Sequence, residues 1–136
     1  MTPEAAREAF ARSPLHRLYG MELELVEGGV DLYGSAFQDL ARTDDIPNLH
    51  GGAIAAMLDS AATFALMTTT DRRWATVDIR VDYLSPAPLH SLALKGRVIK
   101  AGGRIGRARA ELQASYGTVV AVATGTFAAE PDRSAS

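Results

Sequence analysis

The chain has 136 residues, fourteen Lys and Arg against sixteen Asp and Glu, a formal net charge of −2 and no cysteine. This suits one compact globular domain, with 47% hydrophobic and 22% charged residues, and it excludes a disulfide scaffold, a thiolate nucleophile and a Cys-ligated metal site. Three scattered histidines (His16, His50 and His90) argue against a metal cage, the opening MTPEAAREAF has no apolar signal-peptide core, and no apolar run approaches the roughly 20 residues of a membrane span; the expectation is a cytoplasmic protein with no membrane partner.

Thr2-Pro3-Glu4 sets an N-cap, a proline at the first helical position and an early acid, which predicts a helix over 3–12. Ser13-Pro14 repeats the start signal and Gly20 can end that second, shorter helix. Residues 21–27 and 29–36 read as strands joined at Gly28-Gly29, adjacent glycines supplying the positive φ of a tight hairpin. The polar stretch 37–50, with Asp44-Asp45, Pro47 and Asn48, reads as a loop. From Gly52 to Met67 the chain is rich in Ala, Leu and Met around nearly the whole helical circumference, a rod of about 24 Å expected to be buried on all sides.

Strict alternation over 75–83 places Ala75, Val77, Ile79, Val81 and Tyr83 on one face and Thr76, Asp78, Arg80 and Asp82 on the other. Residues 91–100, 104–115 and 118–128 read as three further strands, broken at Ala101-Gly102-Gly103 and Tyr116-Gly117. The expected architecture is one α+β domain over 1–129, an antiparallel sheet wrapped around a long helix, followed by a disordered tail at 130–136.

Charge is segregated. Residues 1–94 hold seven basic and thirteen acidic side chains, whereas 95–109 hold Lys95, Arg97, Lys100, Arg104, Arg107 and Arg109 with no acid. That basic segment lacks the stacking aromatics of a nucleic-acid surface, so a small polyanion is the better match and no nucleic-acid partner is expected.

Asp59 is the one charged residue between Gly51 and Thr70. A carboxylate in an apolar helix costs several kcal/mol unless paired or solvated, so it is either a structural ion pair or a group with a chemical task. Nine residues upstream, His50-Gly51-Gly52 precedes the helix, where backbone N–H groups lack intrahelical partners and glycines let a ligand approach; such a terminus can bind an oxyanion.

The run His50-Gly51-Gly52, six residues and Asp59, followed by the strand Val77 to Ala87 with its Tyr83-Leu84-Ser85-Pro86-Ala87 end, resembles the hotdog-fold acyl-CoA thioesterases of the phenylacetate-pathway (PaaI-like) group over about residues 14–128. The resemblance implies the hotdog fold, dimers or tetramers, and hydrolysis of a small aryl- or acyl-CoA thioester with neither metal nor cofactor, coenzyme A being part of the substrate. It implies Asp59 as nucleophile or general base and the Gly51 N–H as oxyanion donor, with His50 positioning the loop or the thioester group and Thr63 and Thr76 assisting the carboxylate. Lys100, Arg104 and Arg107 would hold CoA phosphates, since cationic side chains suit phosphate oxygens; for all of these a plain structural role is the competing reading. Six residues before His50, where the family usually has Asn, stands Asp44, and Asn48 can substitute for it; Asp44, Asn48 and Gly52 complete the expected thioester surroundings.

Gly51 and Asp59 lie about 12 Å apart along one helix, too far to serve one reacting carbon. Two copies of the helix packed antiparallel would bring Asp59 of one to the Gly51 end of the other, so a homodimer or dimer of dimers is expected. A hotdog protein that binds acyl-CoA without turnover is the alternative from another class. A dehydratase of 3-hydroxyacyl thioesters lacks its His-Phe-Pro-type run, and G-x-S-x-G, P-loop and dinucleotide fingerprints are absent.

Overall fold

The computed structural model describes residues 1–131; the last five residues, within the expected tail, lie outside the described residues. Helix α1 spans Pro3–Ala11, capped by the Thr2 hydroxyl, which accepts from the Ala5 N–H at 3.1 Å, and it buries Ala6 and Phe10 one turn apart. Helix α2, Pro14–Tyr19, ends on Gly20 in the left-handed region at φ 64°. Strands β1 (Glu22–Val26) and β2 (Gly29–Ala36) form the expected hairpin, but its turn is Glu27-Gly28. Only Gly28 takes a positive φ, 77°. Gly29 is required for a different reason: a Cβ there would stand 1.9 Å from the Gly96 carbonyl oxygen.

The stretch expected to be an irregular loop contains a small ribbon, β3 (Ala41–Thr43) paired with β4 (Ile46–Leu49), after a short 3₁₀ turn at Gln38–Leu40. Its polar composition hid it, because only Leu49 of the ribbon is buried. Helix α3 then runs Gly51–Thr70, and β5 (Trp74–Tyr83), β6 (His90–Ala101), β7 (Ile105–Gln113) and β8 (Val119–Ala129) complete a six-stranded antiparallel sheet in the order β1-β2-β6-β7-β8-β5. The sheet wraps α3, which packs on β2, β5, β6, β7 and β8, with Met57, Leu58, Ala61 and Leu66 facing Leu32, Leu94, Leu112 and Phe127 in the core. Beyond β8, Glu130 is tied back: its N–H donates to the Arg73 carbonyl at 2.8 Å and its carboxylate meets Arg73 at 3.3 Å.

Close approach of helix to sheet depends on Gly96, where an added Cβ would lie 2.1 Å from the Ala61 carbonyl oxygen of α3. Helix backbone cannot yield locally, so Gly96→Ala is expected to destabilise by about 3 kcal/mol or more, read as a lower urea midpoint.

Two further expectations are corrected by the packing. Helix α3 has the length and apolarity of a membrane span, contrary to the reading that no run approached it, yet its apolar face forms the core of this fold. Nor is α3 covered on all sides within one chain. Ala55, Ala56, Asp59, Thr63 and Met67 remain half-exposed along one stripe, beside the edge of β5 that is unpaired among the described strands.

Candidate active site

Asp59 occupies that stripe. Its carboxylate oxygen Oδ1 accepts a 2.6 Å hydrogen bond from the Thr76 hydroxyl of β5. Strict alternation had grouped Thr76 with Asp78 and Arg80. The strand instead carries a bulge, the register passing from Thr76↔Phe127 to Asp78↔Thr126, so that Val77 is unmatched and the alternation shifts by one. Trp74 and Thr76 thus point to the helix before the bulge, Ile79, Val81 and Tyr83 after it.

His50 is the N-cap of α3: its Nδ1 accepts from the Gly52 N–H at 2.8 Å, while its ring stays exposed. The Ile54 N–H bonds to the His50 carbonyl. The Gly51 N–H has no partner among the described residues, and the helix dipole adds partial positive charge there. Tyr83, quoted in the motif but given no role, closes over this end. Its hydroxyl donates to the Gly51 carbonyl at 2.6 Å and its ring lies where a Gly51 Cβ would be in van der Waals contact, 3.5 Å away.

Two clefts flank the helix N-terminus. One, of about 330 Å³, is lined by Gly51, Tyr83, Arg42, Asn48 and Ser85. The other, of about 340 Å³, is more apolar and is lined by His50, Gly52, Ala53, Leu15, Leu18 and Leu40. A larger cleft of about 560 Å³ lies between α1–α2 and the β1–β2 hairpin, and neither Asp59 nor Gly51 lines it.

Structure therefore gathers Gly51, Asn48 and Tyr83 at one place, and Asp59 and Thr76 at another. Thr63 lies one turn beyond Asp59 on the same half-exposed stripe. Asp44 stands exposed in the β3–β4 turn, outside the Gly51 cleft, next to Asp45, whose carboxyl is held below its ordinary range by a 2.6 Å bond from the Thr43 hydroxyl. Lys100, Arg104 and Arg107 are exposed around the β6–β7 turn. Arg72, just past the C-terminus of α3, donates to Gly103 of that turn at 2.7 Å, which places the basic group at the opposite end of the helix from Gly51.

A buried polar pair adjoins Asp59 and was invisible in the sequence. His16 of α2 is 8% exposed and Ser60 of α3 is 9% exposed. The imidazole meets the Phe10 carbonyl through Nδ1 and the Ser60 hydroxyl through Nε2, both at 2.8 Å. A carbonyl only accepts, so Nδ1 carries the proton, and in the neutral ring Nε2 accepts from Ser60. Burial pushes His16 below its ordinary 6.5, opposed by the Phe10 hydrogen bond and by the charge of Asp59. The folded state thus disfavours the protonated ring: stability is full above 6.5 and declines as pH falls from 6.5 through the lower folded value. A urea midpoint series taken down through that range is expected to fall more steeply for wild type than for His16→Gln.

Residues 47–121 match the family model described as the Thioesterase superfamily. The chain is 31% identical, over 84% of its length and 84% of the relative's, to the medium/long-chain acyl-CoA thioesterase YigI of Salmonella typhimurium. Its fold superposes on a thioesterase family protein from Silicibacter pomeroyi with a TM-score of 0.84 at 27% identity, covering 95% of this chain and 98% of the other. It is also similar in fold to a phenylacetic-acid-degradation-related protein from Ralstonia eutropha JMP134, TM-score 0.76 at 21% identity, covering 90% and 97%. With the helix-wrapping sheet already described, these findings make the chain a hotdog-fold member of the thioesterase superfamily, a thioester hydrolase.

Proposed function

We propose that the substrate is an acyl-CoA, hydrolysed to the free acid and CoA by Asp59 of one subunit and the Gly51 N–H of another, in the cytoplasm and without metal or cofactor. The observation that carries this reading is the placement of Asp59. Its carboxylate is anchored by Thr76 on a half-exposed stripe of small side chains, while the Gly51 N–H, without a partner among the described residues, sits two helical turns away. The spacing, about 12 Å along the axis, suits an antiparallel pair of α3 helices and not one chain acting alone.

The surface beside Asp59 supports the pairing. Strand β5 spans ten residues with one edge unpaired among the described strands, and Val77 is 60% exposed on it. Long free edges are normally covered, and a second copy would cover this edge and the α3 stripe together. A dimer, or a dimer of such dimers, is therefore the proposed working form of one hotdog domain over residues 1–129.

In that arrangement the thioester carbonyl oxygen points at the Gly51 N–H, which stabilises the negative charge developing there. Asp59 either attacks the carbonyl carbon, forming a mixed anhydride with the acyl group as the CoA thiolate leaves, which water then hydrolyses, or takes a proton from the attacking water. Both routes break the C–S bond, consume one water, and pass a proton to the departing CoA sulfur. Tyr83 and the His50 ring hold the turn that carries the donor. Antiparallel helices also set the Lys100, Arg104 and Arg107 turn of one subunit on the same side as the Gly51 end of the other, which supports its role toward the CoA phosphates. Asn48, lining the Gly51 cleft, supports the substitution for Asp44 in orienting the thioester.

The acyl-CoA class draws support from the printed activity of YigI, and the apolar cleft of Leu15, Leu18 and Ala53 offers an alkyl chain a path from the helix end. A thiol-release assay over aliphatic CoA esters of increasing length, with phenylacetyl-CoA as the aromatic member, tests the reading. Release of free CoA with a preference for aliphatic chains is expected; saturable binding with no thiol released by any ester would refute it.

A further inference from the structure

Of the three histidines, only His16 is buried, and the hydrolysis assigned above leaves it without a task. We propose that His16, acting through Ser60, is a positioning residue for the Asp59 carboxylate; the inference rests on the function proposed above. Asp59 and Ser60 are neighbours on α3, so their side chains leave the helix about 100° apart. Each is held from a different element: Asp59 by Thr76 of β5 at 2.6 Å, Ser60 by His16 of α2 at 2.8 Å. Two hydrogen bonds at a wide angle add to the core packing of Met57, Leu58 and Ala61 in holding the rotation of that turn about the helix axis. A carboxylate serving a site assembled from two subunits needs this constraint, because reactivity falls steeply with misplacement of about 1 Å.

His16 is itself immobilised. Its ring stacks on Phe10 at 4.0 Å and 13°, meets the edge of Phe64 at 5.4 Å, and donates to the Phe10 carbonyl. The neutral ring with Nδ1 protonated is the form that accepts from Ser60. Protonation would turn Nε2 into a donor, and the Ser60 hydroxyl would have to send its hydrogen elsewhere, as to the carbonyl one turn back along the helix. Asp59 is the charged group of α3 felt by the ring. Arg7 of α1, Arg17 of α2, Glu22 and Glu24 of β1, and Tyr33 of β2 line the adjoining cleft. Both arginines are engaged, Arg7 with the Leu23 carbonyl and Arg17 with the carbonyls of Ala11 and Arg12.

The test is the pH dependence of kcat and KM for CoA-thiol release by wild type, His16→Gln and Ser60→Ala. A glutamine amide can accept from Ser60 and donate to Phe10 but takes no proton in this range. Wild-type kcat is expected to decline as His16 takes up its proton, at a pH lower than its ordinary 6.5, with KM nearly constant, and His16→Gln to move that acid limb to lower pH while keeping kcat at mildly alkaline pH. Ser60→Ala, which leaves a small apolar side chain in the helix, is expected to lower kcat about fivefold at mildly alkaline pH without raising KM, the kinetic equivalent of one neutral hydrogen bond, and to show the same altered acid limb as His16→Gln, because the link is cut. An acid limb unmoved from its wild-type position in His16→Gln, or full kcat in Ser60→Ala, overturns the inference while leaving the proposed function in place. A wild type that hydrolyses no CoA ester overturns both.

Discussion

Asp59→Asn is expected to lower kcat by about 10³-fold or more while the protein stays folded, because it removes the group proposed to attack the thioester or deprotonate water. The substitution is nearly isosteric, and the amide oxygen it introduces can still accept from the Thr76 hydroxyl that now donates to Asp59 at 2.6 Å. Urea unfolding and far-UV circular dichroism should therefore superpose on wild type. Binding of a non-hydrolysable CoA thioether should be close to unchanged. Equal turnover in the two proteins would show that Asp59 is a structural carboxylate after all.

Gly51→Pro is expected to lower kcat by about 10²–10³-fold, the usual consequence of deleting one oxyanion donor. The backbone is prepared for this change. Gly51 is the first residue of α3, where proline is favoured, and its φ is not in the left-handed region. His50 before it is extended at φ −61° and ψ 134°, a conformation compatible with a following proline. A Cβ at residue 51 would make only ordinary contact with the Tyr83 ring, nearest atom 3.5 Å away. The variant thus deletes the N–H at little cost to the fold, the ring Cδ taking the place of the hydrogen. A control at Gly52, whose N–H is already taken by His50, should affect helix stability more than kcat.

Most of the architecture is legible in the chain because it rests on local patterns. The apolar run after Gly51, the cap at Thr2-Pro3 and the glycine-punctuated strands of the C-terminal half each state their own secondary structure. Asp59 stands out for the same reason, as the lone charge within α3. What the chain hides is carried by partners distant in sequence. Thr76 reaches Asp59 only because the strand bulges at Val77, and a bulge leaves no mark on a pattern of alternating side chains. Ser60 reads as an ordinary polar residue of a helix until His16, 44 positions earlier, is seen to end on it. Tyr83 belongs to a recognisable strand end, yet its bond to Gly51 spans 32 positions. The β3–β4 ribbon escaped because it buries only one of its side chains, so hydrophobic periodicity had nothing to report.

The measurement that bears most directly on the shared site is complementation between two inactive variants, Asp59→Asn and Gly51→Pro, co-expressed with different tags and compared with each expressed alone. In a mixed dimer the Asp59→Asn subunit still supplies an intact Gly51 and the Gly51→Pro subunit an intact Asp59, so one of the two sites is whole. Random pairing then restores about a quarter of wild-type activity, since half the dimers are mixed and each holds one working site. Recovery at that level, confined to the doubly tagged fraction, is the expected result; a doubly tagged dimer as inactive as either parent, or a fully active monomer, would contradict it.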